Sequence, residues 1–159
     1  MQAPVENKCP VILYPPTFTR NVCSAPYLMR EIERLAKDKP WEWIITFHPK
    51  LTDPEIIAGY KKIAEENANV TFFEGADKLQ LLHKADVMLC DSSSIILEFM
   101  FLDKPVVTFR NSHPGPHLID VQRPEEVGPA LERALTRPDE LMREVRTYTM
   151  FHEPHRDCR

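Results

Sequence analysis

A chain of 159 residues has room for one compact domain, and at that length roughly 70% of the unfolded surface is buried without disulfide or metal staples. With 43% hydrophobic and 28% charged residues, and 20 basic against 24 acidic side chains giving a net charge of -4, the composition is that of an ordinary globular protein, not a disordered or fibrous one. The basic excess that a nucleic-acid backbone demands is missing, which excludes a general nucleic-acid binder and leaves a small anionic ligand open.

Along the chain, short apolar runs alternate with amphipathic segments. Cys9 to Tyr14 reads as a buried strand, followed by a turn at Pro15-Pro16-Thr17 and a helix from about Ala25 to Lys37. Trp41 to Phe47 is a second strand, stopped by His48-Pro49. Pro54 to Asn67 is helical, with Thr52-Asp53 as caps and proline in the first turn. A third strand covers Val70 to Phe73, a short helix Leu79 to Lys84, and a fourth strand Asp86 to Cys90. Ser93 to Leu102 forms an apolar helix and Pro105 to Phe109 a fifth strand. Helices over Pro124 to Thr136 and Pro138 to Tyr148 close the pattern, each opened by proline and acidic residues, and a polar tail starts at Phe151.

Apolar strands alternating with helices mean an α/β fold: a Rossmann-like parallel sheet with helices on both faces. No internal repeat or low-complexity tract interrupts it. Ligands of such sheets sit outside the carboxyl ends of the strands, so the informative residues are those just after each strand.

Pro is frequent at 15 residues and Gly scarce at 4, and neither GxGxxG nor GxxxxGK[ST] occurs, so any phosphate must be held by another device. Cys9, Cys23, Cys90 and Cys158 are scattered without CxxC spacing, which fits reduced thiols better than a disulfide frame or zinc site. No metal and no cofactor are expected. Without a long apolar run or a signal sequence, the chain is expected to be soluble and cytoplasmic, with peripheral attachment to the inner face of the membrane left open.

The strongest chemical signal is Asp91-Ser92-Ser93-Ser94, between a strand and an apolar helix. Hydroxyls and backbone N–H groups at a helix start make an anion site without glycine; the plain alternative is N-capping by Ser92 or Ser93. Glu98 is the helix's one charge, placed either at its exposed edge or facing the cleft, where it accepts from ribose hydroxyls. His48-Pro49-Lys50 puts an imidazole and an ammonium on the same rim, suited to charge growing on a leaving phosphate, or else merely ends the strand. Thr17 and Arg20 add a hydroxyl and a planar cation. The loop from Arg110 to His117 reads as a rim loop with solvated histidines, or one touching base or acceptor; its prolines prevent the helix that would align His113 and His117 on a metal. Trp41 and Trp43 share a strand face and suit packing. No GxSxG elbow supports a serine hydrolase.

In order, Tyr14-Pro15-Pro16-Thr17 with Arg20, Phe47-His48-Pro49, Ala85 through Ser94, and Glu98 with Leu102-Asp103-Lys104-Pro105 resemble the C-terminal half of the CDP-glycerol glycerophosphotransferase family of teichoic-acid type. The resemblance runs from about residue 9 to 135. It implies one half of a GT-B fold, with a missing N-terminal domain supplying the catalytic base. It further implies transfer of glycerol phosphate, or a related sugar or polyol phosphate, from a CDP-activated donor to a polymer or lipid-linked acceptor of the cell envelope, by direct displacement without a metal. Ser93 and Ser94 would then hold the donor diphosphate, His48 and Arg20 steady its charge, and Glu98 reach the ribose. The chain departs from that family at Ser92, often aromatic there, and in the loop after the fifth strand. UDP-N-acetylglucosamine 2-epimerases, which share the Asp-Ser helix start and Lys-Pro-Val strand, are the second reading; there the helix begins Ser-Gly-Gly and carries two adjacent glutamates. A nucleotide-sugar-binding module without activity is the third.

Overall fold

The computed structural model describes residues 9–19, 21–75 and 78–152. Six strands form one sheet: β1 (Val11–Tyr14), β2 (Glu42–Ile45), β3 (Val70–Phe72), β4 (Val87–Cys90), β5 (Val106–Phe109) and β6 (Ile119–Val121). Their order is β3-β2-β1-β4-β5-β6 and every neighbouring pair is parallel. β1, β4 and β5 are buried at every position, which is why they read as near-continuous apolar runs and not as alternating ones.

Helices cover both faces. α1 (Ala25–Asp38), α2 (Pro54–Glu66) and α5 (Val127–Leu135) pack Leu28, Ile32, Tyr60, Ile63 and Leu131 against one face. α3 (Leu79–Lys84), α4 (Ile95–Met100) and α6 (Asp139–Phe151) pack Leu82, Phe99, Met100, Met142 and Val145 against the other. Trp41 and Trp43 are both core residues of the first face. Asp53 caps α2 as expected, its carboxylate accepting from the N–H of Glu55 at 3.0 Å and of Ile56 at 3.4 Å. No helix among the described residues is long and apolar enough to cross a membrane.

Beyond shifts at strand ends, among them β2, which spans Glu42–Ile45 and not Trp41 to Phe47, the structure departs from the expected elements at four places. The apolar run expected to be helical from Ser93 to Leu102 is helical only over Ile95–Met100, so Ser93 and Ser94 precede the helix. Its end is set by Asp103, which turns left-handed at φ 63°, and by Pro105, which disfavours helical backbone at Lys104. The first three residues of the helix expected from Pro124 form a separate 3-10 turn. α6 runs through Phe151, where a polar tail had been expected to start. β6 is an extra edge strand: three residues with Asp120 at the centre carry no apolar run for a sequence reading to find.

The connection after β1 leads to β2 on one side, and the connection after β4 leads to β5 on the other. The strand order therefore reverses between β1 and β4, and the crevice at their carboxyl ends is where such sheets bind ligands.

Candidate functional site

The loops after β1 and β4 are tied together by Asp91, the first residue beyond β4. Its side chain is fully buried. One carboxylate oxygen accepts from the N–H of Thr17 at 2.9 Å and of Ser92 at 2.8 Å, the other from the N–H and hydroxyl of Ser24 at 2.8 and 2.7 Å. Four donors on one buried carboxylate satisfy its desolvation and fix three loop segments with one side chain. The Ser24 hydroxyl also meets the Tyr14 hydroxyl at 2.7 Å, and the Tyr60 hydroxyl donates to the Ala25 carbonyl, so the network reaches α1 and α2. Burial raises the Tyr14, Tyr60 and Cys90 pKa values, leaving neutral packing groups with no acid or nucleophile among them.

Above this network lies a cavity of about 510 Å³, lined by Thr17, Phe18, Thr46, His48, Lys78, Ser92, Ser93, Ser94 and Glu98 together with Pro15, Pro16 and Ile95. Six of the sequence-predicted site residues thus meet: Thr17, His48, Ser92, Ser93, Ser94 and Glu98. Glu98 is exposed and on the cavity wall. Lys50 is not among them. The chain turns back at Pro49, with the Leu51 N–H donating to the His48 carbonyl at 2.9 Å, and the Lys50 ammonium lies 5.3 Å from the Phe18 ring centre, lining a separate cavity with Cys23 and Asp53. Arg20 falls outside the described residues.

The serines divide by role. Ser92 accepts from the N–H of Ser112 at 2.9 Å, and the two hydroxyls are 3.2 Å apart, so Ser92 holds the loop after β5 in place. Ser93 makes a long 3.4 Å bond with the Ile95 N–H, and Ser94, the helix cap, makes no side-chain cap bond. Neither serine is consumed by tight capping, and both remain on the cavity wall.

His48 is held in one orientation. Its Nδ1 accepts from the Lys50 N–H at 3.0 Å and its ring packs against Phe18 with centres 4.4 Å apart. With Nδ1 accepting, the neutral ring carries its proton on Nε2.

Sequence reasoning missed two lining residues. Lys78, half-buried at the cap of α3, has its pKa lowered by desolvation, and a helix N-terminus is the wrong end for a cation. Among the described residues, no carboxylate forms an ion pair with its ammonium. Thr46, one residue past β2, is the other. A second cavity of about 610 Å³ shares His48 and Lys78 with the first and is walled by Phe47, Phe72 and Phe73.

The remaining motifs are architectural. The Asp103 carboxylate takes two bonds from Arg146, at 2.8 and 3.0 Å, and one from Arg137, which hold its pKa low and pin α4 to α6. The Lys104 ammonium donates to the carbonyls of Leu82, His83 and Ala85, closing the end of α3. His117 is not solvated: it is buried and stacked on Tyr148 at 3.7 Å. Asn111 donates to the Asp91 carbonyl at 2.7 Å, so the loop after β5 buttresses the serine loop from outside the cavity.

Residues 2–113 match the family described as CDP-glycerol:poly(glycerophosphate) glycerophosphotransferase. No curated protein matches the chain by sequence. Among solved structures, the wall teichoic acid polymerase TagF soaked with CDPG is 15% identical with a TM-score of 0.60, over 87% of this chain and 36% of that one. UDP-GlcNAc 2-epimerase from Neisseria meningitidis bound to UDP-GlcNAc is 19% identical with a TM-score of 0.63, over 87% and 39%. An α,α-trehalose-phosphate synthase (UDP-forming) from Burkholderia vietnamiensis is 11% identical with a TM-score of 0.66, over 87% and 40%. At these identities the likeness establishes the fold alone, a Rossmann-like α/β domain. The chain spans about two fifths of the length of these structures.

Proposed function

The chain belongs to the CDP-glycerol:poly(glycerophosphate) glycerophosphotransferase family, and from that premise we propose that its cavity binds the CDP-activated donor from which glycerol phosphate is transferred to a cell-envelope polymer or lipid-linked acceptor. The observation that carries the reading is convergence: four loops, after β1, β2, β3 and β4, bring hydroxyls, an imidazole and an ammonium to one cavity at the point where strand order reverses. These are groups for an anion with a polar tail. Ser93, Ser94 and Lys78 face the diphosphate, Thr17 flanks it, and Glu98 accepts from ribose hydroxyls. The adjoining cavity walled by Phe47, Phe72 and Phe73 suits the base, since flat aromatic walls stack on any base.

In the transfer, an acceptor hydroxyl oxygen attacks the phosphorus that carries glycerol. The bond from that phosphorus to the bridging oxygen breaks and cytidine monophosphate leaves, its negative charge growing on the former bridging oxygen. His48, with its Nε2 proton held by the Nδ1 contact, donates to that oxygen, and Lys78 offsets the charge. The acceptor's proton goes to a base on a second domain, for which this chain supplies the donor-binding half. Attachment to the membrane face where the acceptor lies belongs to that larger assembly.

The test is calorimetric titration of the full chain with CDP-glycerol, and of a Ser93→Ala, Ser94→Ala variant. The expected loss is about 10-fold or more in affinity, the worth of one or two hydrogen bonds to a charged group. Undiminished binding by the variant removes the serine loop from the donor site.

A further inference from the structure

Among the described residues, two buried side-chain polar atoms lack a hydrogen-bond partner, the indole nitrogen of Trp43 and the hydroxyl of Thr46. They differ in place. Trp43 is enclosed in the core of the α1, α2 and α5 face. Thr46 is 2% exposed and lies in the wall of the 510 Å³ cavity, beside His48, Lys78 and Ser93. Its backbone is fixed, the N–H donating to the Tyr14 carbonyl at 3.2 Å.

An orphaned hydroxyl in a buried wall costs free energy that an equally branched valine there does not. Other polar groups of the same wall have protein partners: the Thr17 N–H is on Asp91 and the Ser92 hydroxyl on Ser112. Among the described residues of that wall, Thr46 carries the one buried hydroxyl without a partner. A buried, unpartnered hydroxyl on a residue lining a space that also holds an ammonium and an imidazole is matched by an acceptor-only anionic oxygen, and phosphate oxygens are that chemistry.

We infer that the Thr46 hydroxyl is a donor-binding group that donates to a phosphate oxygen of the nucleotide diphosphate, an inference that rests on the cavity being the donor site. Thr46 sets affinity and position for the diphosphate and has no part in stabilising the fold.

The experiment compares wild type, Thr46→Val and Thr46→Ser as full chains, titrated with CDP-glycerol and with CDP, alongside thermal unfolding of each. Thr46→Val is expected to melt at or above the wild-type temperature while binding both ligands about 10- to 100-fold more weakly, the worth of a hydrogen bond to a charged group. Thr46→Ser, which keeps the hydroxyl, is expected to restore most of the affinity. A purely structural threonine gives the reverse pattern, a lower melting temperature in Thr46→Val and unchanged binding, and overturns the inference. Loss confined to CDP-glycerol with CDP unaffected moves the contact to the glycerol and overturns the phosphate assignment. Wild type failing to bind either ligand overturns the donor-site reading and this inference together, whereas wild-type binding matched by Thr46→Val overturns this inference alone.

Discussion

Replacing Asp91 by asparagine keeps the size of the side chain and changes what four donors meet. One carboxylate oxygen takes the N–H groups of Thr17 and Ser92, the other the N–H and hydroxyl of Ser24, all between 2.7 and 2.9 Å. An amide has one acceptor oxygen, so whichever way it turns, its NH2 group faces two donors. The less costly orientation points the NH2 at Ser24, whose hydroxyl can rotate toward Tyr14, leaving the Ser24 N–H without an acceptor. A buried N–H so orphaned costs about 1–3 kcal/mol, and the two bonds retained lose their charge assistance, about 1 kcal/mol more. The sum, about 3 kcal/mol, lowers the melting temperature by about 6–12 °C for a chain of this length. Thermal and urea unfolding followed by circular dichroism measure it, and donor affinity is expected to fall too, because Thr17 and the serine loop lose their common anchor. A melting temperature within about 2 °C of wild type would refute the reasoning, since a loss that small is under 1 kcal/mol.

Lys78→Met removes the one half-buried ammonium of the cavity, and is expected to weaken CDP-glycerol binding about 10-fold and flatten its salt dependence without lowering the melting temperature; unchanged affinity removes Lys78 from the site. Because burial lowers the Lys78 pKa, binding in wild type is expected to weaken with rising pH earlier than an ordinary lysine dictates, and the Lys78→Met variant to lack that step. His117 gives a separate pH signature. Burial, and then His152, lower its pKa below 6.5 while Glu144 opposes them, so as pH falls below 6.5 the unfolded chain takes up the proton first. Its contribution to stability is therefore intact above pH 6.5 and declines as pH falls toward the folded value; melting temperatures between pH 7.5 and 5 should drop more steeply in wild type than in His117→Phe, and parallel curves would contradict the assignment.

Most of the sheet was legible because its central strands are buried at every position and mostly apolar; β1 and β4 carry no polar residue and β5 only Thr108. β6 was not, since Ile119–Val121 has a polar centre whose carboxylate serves the Thr108 hydroxyl and the Asn111 N–H. The serine loop and His48 were legible as residues placed after strands. Their neighbours in the cavity were not. Lys78 follows no strand directly and Thr46 looks like the polar end of β2, so what marks them, desolvation and an unanswered hydroxyl, exists only once the loops have closed. Asp91 was singled out as part of an anion-binding run, whereas its carboxylate faces inward. It binds three loop segments, and the proposed donor contact falls to the serines after it. Lys50 lies outside this cavity for a local reason: it follows Pro49 inside the turn closed between His48 and Leu51, and its ammonium lies over the Phe18 ring.

The central claim is that this cavity takes a cytidine diphosphate donor. Side-by-side calorimetry of the full chain with CDP-glycerol and UDP-N-acetylglucosamine tests it most directly. CDP-glycerol is expected to bind at least about 10-fold more tightly, a difference of about 1.4 kcal/mol. Tight binding of UDP-N-acetylglucosamine with no response to CDP-glycerol would contradict the account and place the chain's chemistry with the nucleotide-sugar epimerases whose fold it shares.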